Sequence, residues 1–92
     1  MDQIQAMRVF ACVVASGSFT RSAHSLSISR SAVTKHVQAL EDVVRVKLLV
    51  RDTRSVSLTP EGAACYIRLV RLLAQVGAFH ASIRDVGAKP ES

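Results

Sequence analysis

Ninety-two residues, 49% of them hydrophobic, suffice for one small domain with a single core and argue against a disordered chain. Twelve Lys and Arg against seven Asp and Glu leave a formal charge of +5, which suits a polyanionic partner, although a scattered basic surface would give the same total. The longest unbroken apolar run, residues 9–15, is far shorter than the roughly 18 residues that span a bilayer, so no membrane helix is expected.

Ile4, Met7, Phe10 and Val14 recur at helical spacing with Gln3, Gln5 and Arg8 between them, which predicts an amphipathic helix over residues 2–16 stopped by Gly17. The same stretch has the outline of a signal peptide, a cation before an apolar run and small residues after it. Asp2 offsets Arg8, however, and the helical period continues straight through the run, so export is not expected. Cys12 and Cys65 are too few for a disulfide framework or a four-ligand zinc site within one chain. Reduced thiols in a cytoplasm follow as the simplest reading.

Ser18 is placed to cap a short second helix whose Phe19, Ala23 and Leu26 share one face, and Ser27-Ile28-Ser29 breaks it. Ser29 is the next capping residue. Behind it Val33, Val37, Leu40 and Val44 form the inward stripe of a third helix. Arg30, Ser31, Thr34, Lys35 and Gln38 fall on the opposite face, short or cationic donors with no acid among them until Glu41. Two extended runs follow, residues 46–50 and 56–58, and together they predict a small hairpin. Thr59-Pro60-Glu61 is a strong helix start, with a capping hydroxyl, a proline where no N–H is needed, and an acid at the positive end of the dipole.

From Pro60 to about Val86 nothing breaks the fourth helix, Gly77 being a tolerated weak point. Leu69, Leu73, Val76, His80 and Ile83 alternate steps of four and three, while Cys65, Leu72, Phe79 and Val86 step by seven. So small a domain cannot hide both stripes, so pairing with another chain is expected, with the first row as its seam. The division that results is a head at 1–59, a linker and dimerisation helix at 60–87, and a tail at 88–92.

Charge is concentrated in the middle. Residues 21–57 hold seven cations and three acids, which accounts for four of the five excess positive charges. Three helices and a basic hairpin make the winged helix-turn-helix plan, mainly α with a small β-hairpin wing. On that plan Ser31, Thr34, Lys35 and Gln38 face base edges and phosphates in a major groove, and Ser29 helps to present the helix N-terminus. Gln38 and Arg30 have the fork geometry for bidentate base contacts; the hydroxyls and Lys35 are better suited to phosphate.

At these residues the sequence resembles the N-terminal DNA-binding domain of LysR-type transcriptional regulators. MDQIQAMRVF, GSFTRSAHSL, SISRSAVTKHVQALE, LLVRDTRSVSLTPEG and a long fourth helix stand in the family's order and spacing. The resemblance implies a homodimeric, sequence-specific reader of double-stranded DNA, on an interrupted inverted repeat, acting in bacterial transcription. It implies a small-molecule effector only through a C-terminal domain beyond this chain, and no cofactor. It points to Arg30, Ser31, Thr34 and Lys35 at the groove and to Arg51 and Arg54 at the wing. Arg30 and Ser31 stand where the family often has Gln and Pro, Arg45 where it usually has Gly, and Leu49 where it usually has Phe.

Other readings stay open at single positions. Arg51 either meets DNA or instead pairs with Asp52 or braces the hairpin, and a protein-interaction module assembled through the long helix is the rival to DNA binding as a whole. His36 reads as a half-exposed helix histidine rather than a phosphate contact, and His80 as a polar residue within the seam. Both cysteines read as small core groups without the cationic neighbour that favours a thiolate. No nucleophile elbow, phosphate loop, paired-carboxylate site or metal motif is present, so neither catalysis nor a bound metal is expected.

Overall fold

Four helices and a hairpin make up the computed structural model, which describes residues 3–51 and 55–88 apart from the side chains of 85–88. In chain order they are α1 (Gln3–Ser16), α2 (Phe19–Leu26), α3 (Arg30–Val44), β1 (Leu49–Arg51), β2 (Val56–Leu58) and α4 (Pro60–Ala88). The hairpin turn at 52–54, and Arg54 with it, lies outside the described residues, as does the expected tail beyond Ala88.

The helices begin where hydroxyl groups can take up free amides. Ser18 accepts from the Arg21 N–H at 3.1 Å, Ser29 from Ala32 at 3.0 Å and Thr59 from Gly62 at 2.9 Å. α1 stops at Gly17, whose φ of 70° is left-handed and whose N–H closes onto the Val13 carbonyl at 2.8 Å. Ser22 is a fully buried polar residue at the start of the helix-turn-helix, and the Ser16 hydroxyl 3.0 Å away satisfies it.

α1, α2 and α3 enclose the core. Val9, Phe10 and Val13 meet Phe19 and Ala23 of α2 and Val33, Val37 and Leu40 of α3, and Leu48, Leu49 and Leu69 close the remaining side. The inward row of α1 is thus Ala6, Val9, Phe10 and Val13, while Ile4, Met7 and Val14 are only half-buried. α1 is apolar over most of its circumference, so spacing alone leaves its rotation undetermined. Val44 also departs from expectation. It is 38% exposed, because α3 ends there and the chain turns away at Arg45.

β1 and β2 pair antiparallel, Leu49 opposite Leu58 and Arg51 opposite Val56. β1 begins three residues later than the apolar run suggested, because the preceding backbone is engaged elsewhere. The Thr59 hydroxyl donates to the Lys47 carbonyl at 2.7 Å and the Thr59 N–H to the Leu48 carbonyl at 3.0 Å. Gly62 completes this seat for α4: a β-carbon there would collide with the Leu48 carbonyl oxygen.

At 1.5 Å per residue, the 29 residues of α4 extend about 43 Å and account for most of the molecule's 56 Å long axis. Its first turns pack on the head, with Tyr66 edge-on to Phe10 at 6.3 Å between ring centroids. Leu72, Phe79 and Ile83 farther along are exposed. By length and composition, residues Pro60–Arg84 are apolar enough to cross a membrane. Arg68 and Arg71 nevertheless interrupt its apolar run, and helices of soluble proteins share these properties, so the expectation of no membrane helix is not overturned.

Candidate nucleic-acid interface

Ser29 fixes the start of α3 and with it the direction of the outward row. Its hydroxyl caps Ala32 and lies 3.2 Å from the Ser31 hydroxyl, so both oxygens sit at the positive end of the helix dipole with no acid in the first turn. Ser31, Lys35 and Gln38 are exposed on the side away from Val33, Val37 and Leu40. Arg30, also exposed, stands one turn before Val33 and borders a cleft with Thr20, His24 and Ser27 of the preceding helix and turn, so, contrary to expectation, it does not share their face. Thr34 is half-buried, and its hydroxyl donates to the Arg30 carbonyl at 3.2 Å. That leaves Thr34 an acceptor toward the groove face, with its own proton already committed.

At the far end of α3 the chain makes a contact that the sequence did not announce. One carboxylate oxygen of Glu41 accepts from the Leu48 N–H at 2.9 Å and the Leu49 N–H at 3.4 Å, and the other lies 3.7 Å from the Lys47 ammonium. Glu41 thereby ties the outward-facing helix to the first strand of the hairpin. The signal available in the sequence was that this is the first acid in α3, after eleven residues without one.

Arg51 holds the other end of β1. Its guanidinium carbon stands 4.6 Å from the centroid of the Phe19 ring, a cation–π contact worth about 0.5–1 kcal/mol at an exposed site. Of the roles open to Arg51, a bracing contact is thus present, with Phe19 as its partner, while Asp52 lies outside the described residues. The hairpin is anchored to α3 through Glu41 and to the start of α2 through Arg51, so helix and hairpin are held as one surface.

The expected seam on α4 divides. Leu69 is only 4% exposed and belongs to the head's own core, so it is not available to a partner; a row stepping by four and three does not reveal which body it faces. Leu73 packs partly against that core and Val76 is half-buried. His80 and Ile83 are exposed, Ile83 at 56%, and Leu72 and Phe79 of the second stripe join them, Phe79 at 63%. The His80 ring lies 6.0 Å from that of Phe79.

His36 is half-buried, and its Nδ1 is buried with no hydrogen-bond partner among the described residues, so the ring turns partly inward. Burial pushes the Cys65 thiol above its ordinary pKa, which disfavours the reactive thiolate. Among the described residues no three His, Cys, Asp or Glu side chains gather as a metal set.

Comparison with known proteins meets this geometry. The family model described as "Bacterial regulatory helix-turn-helix protein, lysR family" matches residues 4–63. The chain is 40% identical over 90 residues, 98% of its length, to an HTH-type transcriptional repressor of Pseudomonas aeruginosa (strain UCBPP-PA14). It is 44% identical over 80 residues, 87% of its length, to the HTH-type transcriptional activator AaeR of Escherichia coli (strain K12). It spans 28% of the first relative and 26% of the second. Among solved structures, the BenM DBD in complex with catB site 1 DNA superposes with a TM-score of 0.89 at 30% identity, covering 97% of this chain and 99% of that one. The match runs from α1 through the hairpin to the first turn of α4, and on it the chain belongs to the lysR family of bacterial regulatory helix-turn-helix proteins.

Proposed function

We propose that this chain is the DNA-reading head of a bacterial transcription regulator working in the cytoplasm. On this reading α3 enters the major groove, the hairpin lies on the adjoining backbone or minor groove, and two copies joined through α4 meet an interrupted inverted repeat. The observation that carries it is the exposed row Ser31, Lys35 and Gln38, flanked by Arg30, presented by a capped helix start and held to a hairpin by Glu41. The family match and the likeness to a DBD bound to DNA support it.

Within that role Gln38 and Arg30 read base edges, their planar forks suiting bidentate contacts, Ser29, Ser31 and Lys35 hold register on phosphates, and Thr34, left as an acceptor, meets a base amino group. Arg54 belongs to the same proposal as a wing contact, and Arg51 acts by steadying the wing through Phe19. Half-buried Val76 and the exposed His80 and Ile83, with Leu72 and Phe79, form the seam between protomers.

The test is a salt titration of duplex binding by fluorescence anisotropy, preceded by selection of a preferred site from random duplex DNA. The logarithm of affinity should fall with the logarithm of salt at about 0.9 per phosphate neutralised, and a selected inverted repeat should bind more tightly than random duplex. Lys35→Ala should weaken binding to every sequence and flatten the slope by about 0.9 for each bound head. Undetectable binding at low salt would overturn the reading in favour of a protein-interaction module.

A further inference from the structure

We propose that Arg45 is an additional DNA contact that grips a backbone phosphate where α3 gives way to the hairpin; this rests on the DNA-reading role proposed above. Arg45 is the C-cap of α3, with φ 66° and ψ 25°, and its N–H closes onto the Glu41 carbonyl at 2.8 Å. A residue with a β-carbon is disfavoured in this left-handed region, and helices commonly fill the position with glycine. Keeping an arginine here costs stability, and an outlier of this kind is a reason to look for a use.

Its surroundings indicate one. Ser31, Lys35, Gln38 and Asp42 follow one another along the outward row at steps of four, three and four, and Arg45, just past the helix end, borders the same cleft as Gln38 and Asp42 on the way to the hairpin. It lines an open cleft together with Gln38, Glu41, Asp42 and Lys47. The two cations of that cleft are differently placed. Lys47 is paired with Glu41, whereas the Arg45 side chain makes no ion pair among the described residues. Asp42, exposed on the same face, would repel a phosphate, and Arg45 beside it supplies the compensating charge with the five-donor fork that suits phosphate oxygens.

Arg45→Gly separates the two consequences because they have opposite signs. Removing the strain should raise the thermal midpoint by about 4 °C. Removing the charge should weaken duplex binding roughly tenfold per head at low salt and flatten the salt slope by about 0.9 per head. Arg45→Asn, neutral and tolerant of the left-handed region, should repeat the binding loss, and Arg45→Lys should keep the slope. Wild-type affinity and slope in the Gly and Asn variants would overturn this contact, and an unaffected Lys35→Ala effect would leave the function itself standing. Weaker binding with an unchanged slope would also overturn it, by assigning Arg45 a purely structural part. Absence of duplex binding by the wild-type chain would overturn both.

Discussion

The two halves of α4 are made of the same kinds of residue and meet opposite fates. Leu69, in the first half, is sealed into the core cluster that holds Phe10 and Leu48, whereas Phe79 and Ile83, about three to four turns on, are exposed among the described residues. Apolar content therefore says little about what a helix does here, and position relative to the head decides it. The head already has a closed core built from α1 to α3 and the hairpin entrance. An exposed Phe and Ile at helical spacing beyond it are suited to covering by another surface.

Substituting one residue from each region breaks that contrast most forcefully. Phe10→Ala should cost the head about 3–5 kcal/mol in urea unfolding, as a large buried side chain leaves a cavity. Phe79→Ala, measured where the protein is monomeric, should cost less than about 0.5 kcal/mol. Similar losses in the two variants would mean that the distal half of α4 is part of the head's fold after all.

A charge on the open half probes what covers it. Ile83→Asp should raise the dissociation constant of a dimer about a hundredfold, some 2.7 kcal/mol, while leaving the urea unfolding of the head unchanged. Sedimentation that finds the dimer intact would remove Ile83 from the seam. Leu73 is a poorer probe, since it rests partly on the head's core and a charge there would disturb folding as well as pairing.

The smallest effect falls on the link between helix and wing. Glu41→Gln gives up the charge facing Lys47 and weakens the hold on the Leu48 and Leu49 amides, so a loss of about 1–2 kcal/mol is expected. Faster hydrogen exchange at those two amides would locate the loss at the hairpin. Unchanged protection would show that the ladder with β2 holds the wing without Glu41.

Much of the architecture was legible because its signals are local. Ser18, Ser29 and Thr59 cap helices where hydroxyl residues stand before helical patterns, and Val33, Val37 and Leu40 form the buried row that their spacing implied. What escaped depends on contacts across the chain. Nothing near Glu41 says that its carboxylate will meet amides seven and eight residues on, or that Arg51 will settle over Phe19. The rotation of α1 and the burial of Leu69 were equally hidden, because periodicity defines faces and packing chooses among them. At Arg45 a local rule favours glycine and the chain keeps a charged side chain, which is why that position is worth testing.

The join between head and long helix has a consequence for how a pair of heads would straddle DNA. With Thr59 bonded to both Lys47 and Leu48, and Gly62 pressed against the Leu48 backbone, α4 leaves the head as a welded strut rather than on a swivel. If two heads pair through α4 as proposed, the gap between them would follow from bearing and arm length. Any regulator built this way would adjust that gap farther along the arm or where the two arms cross, not at the shoulder.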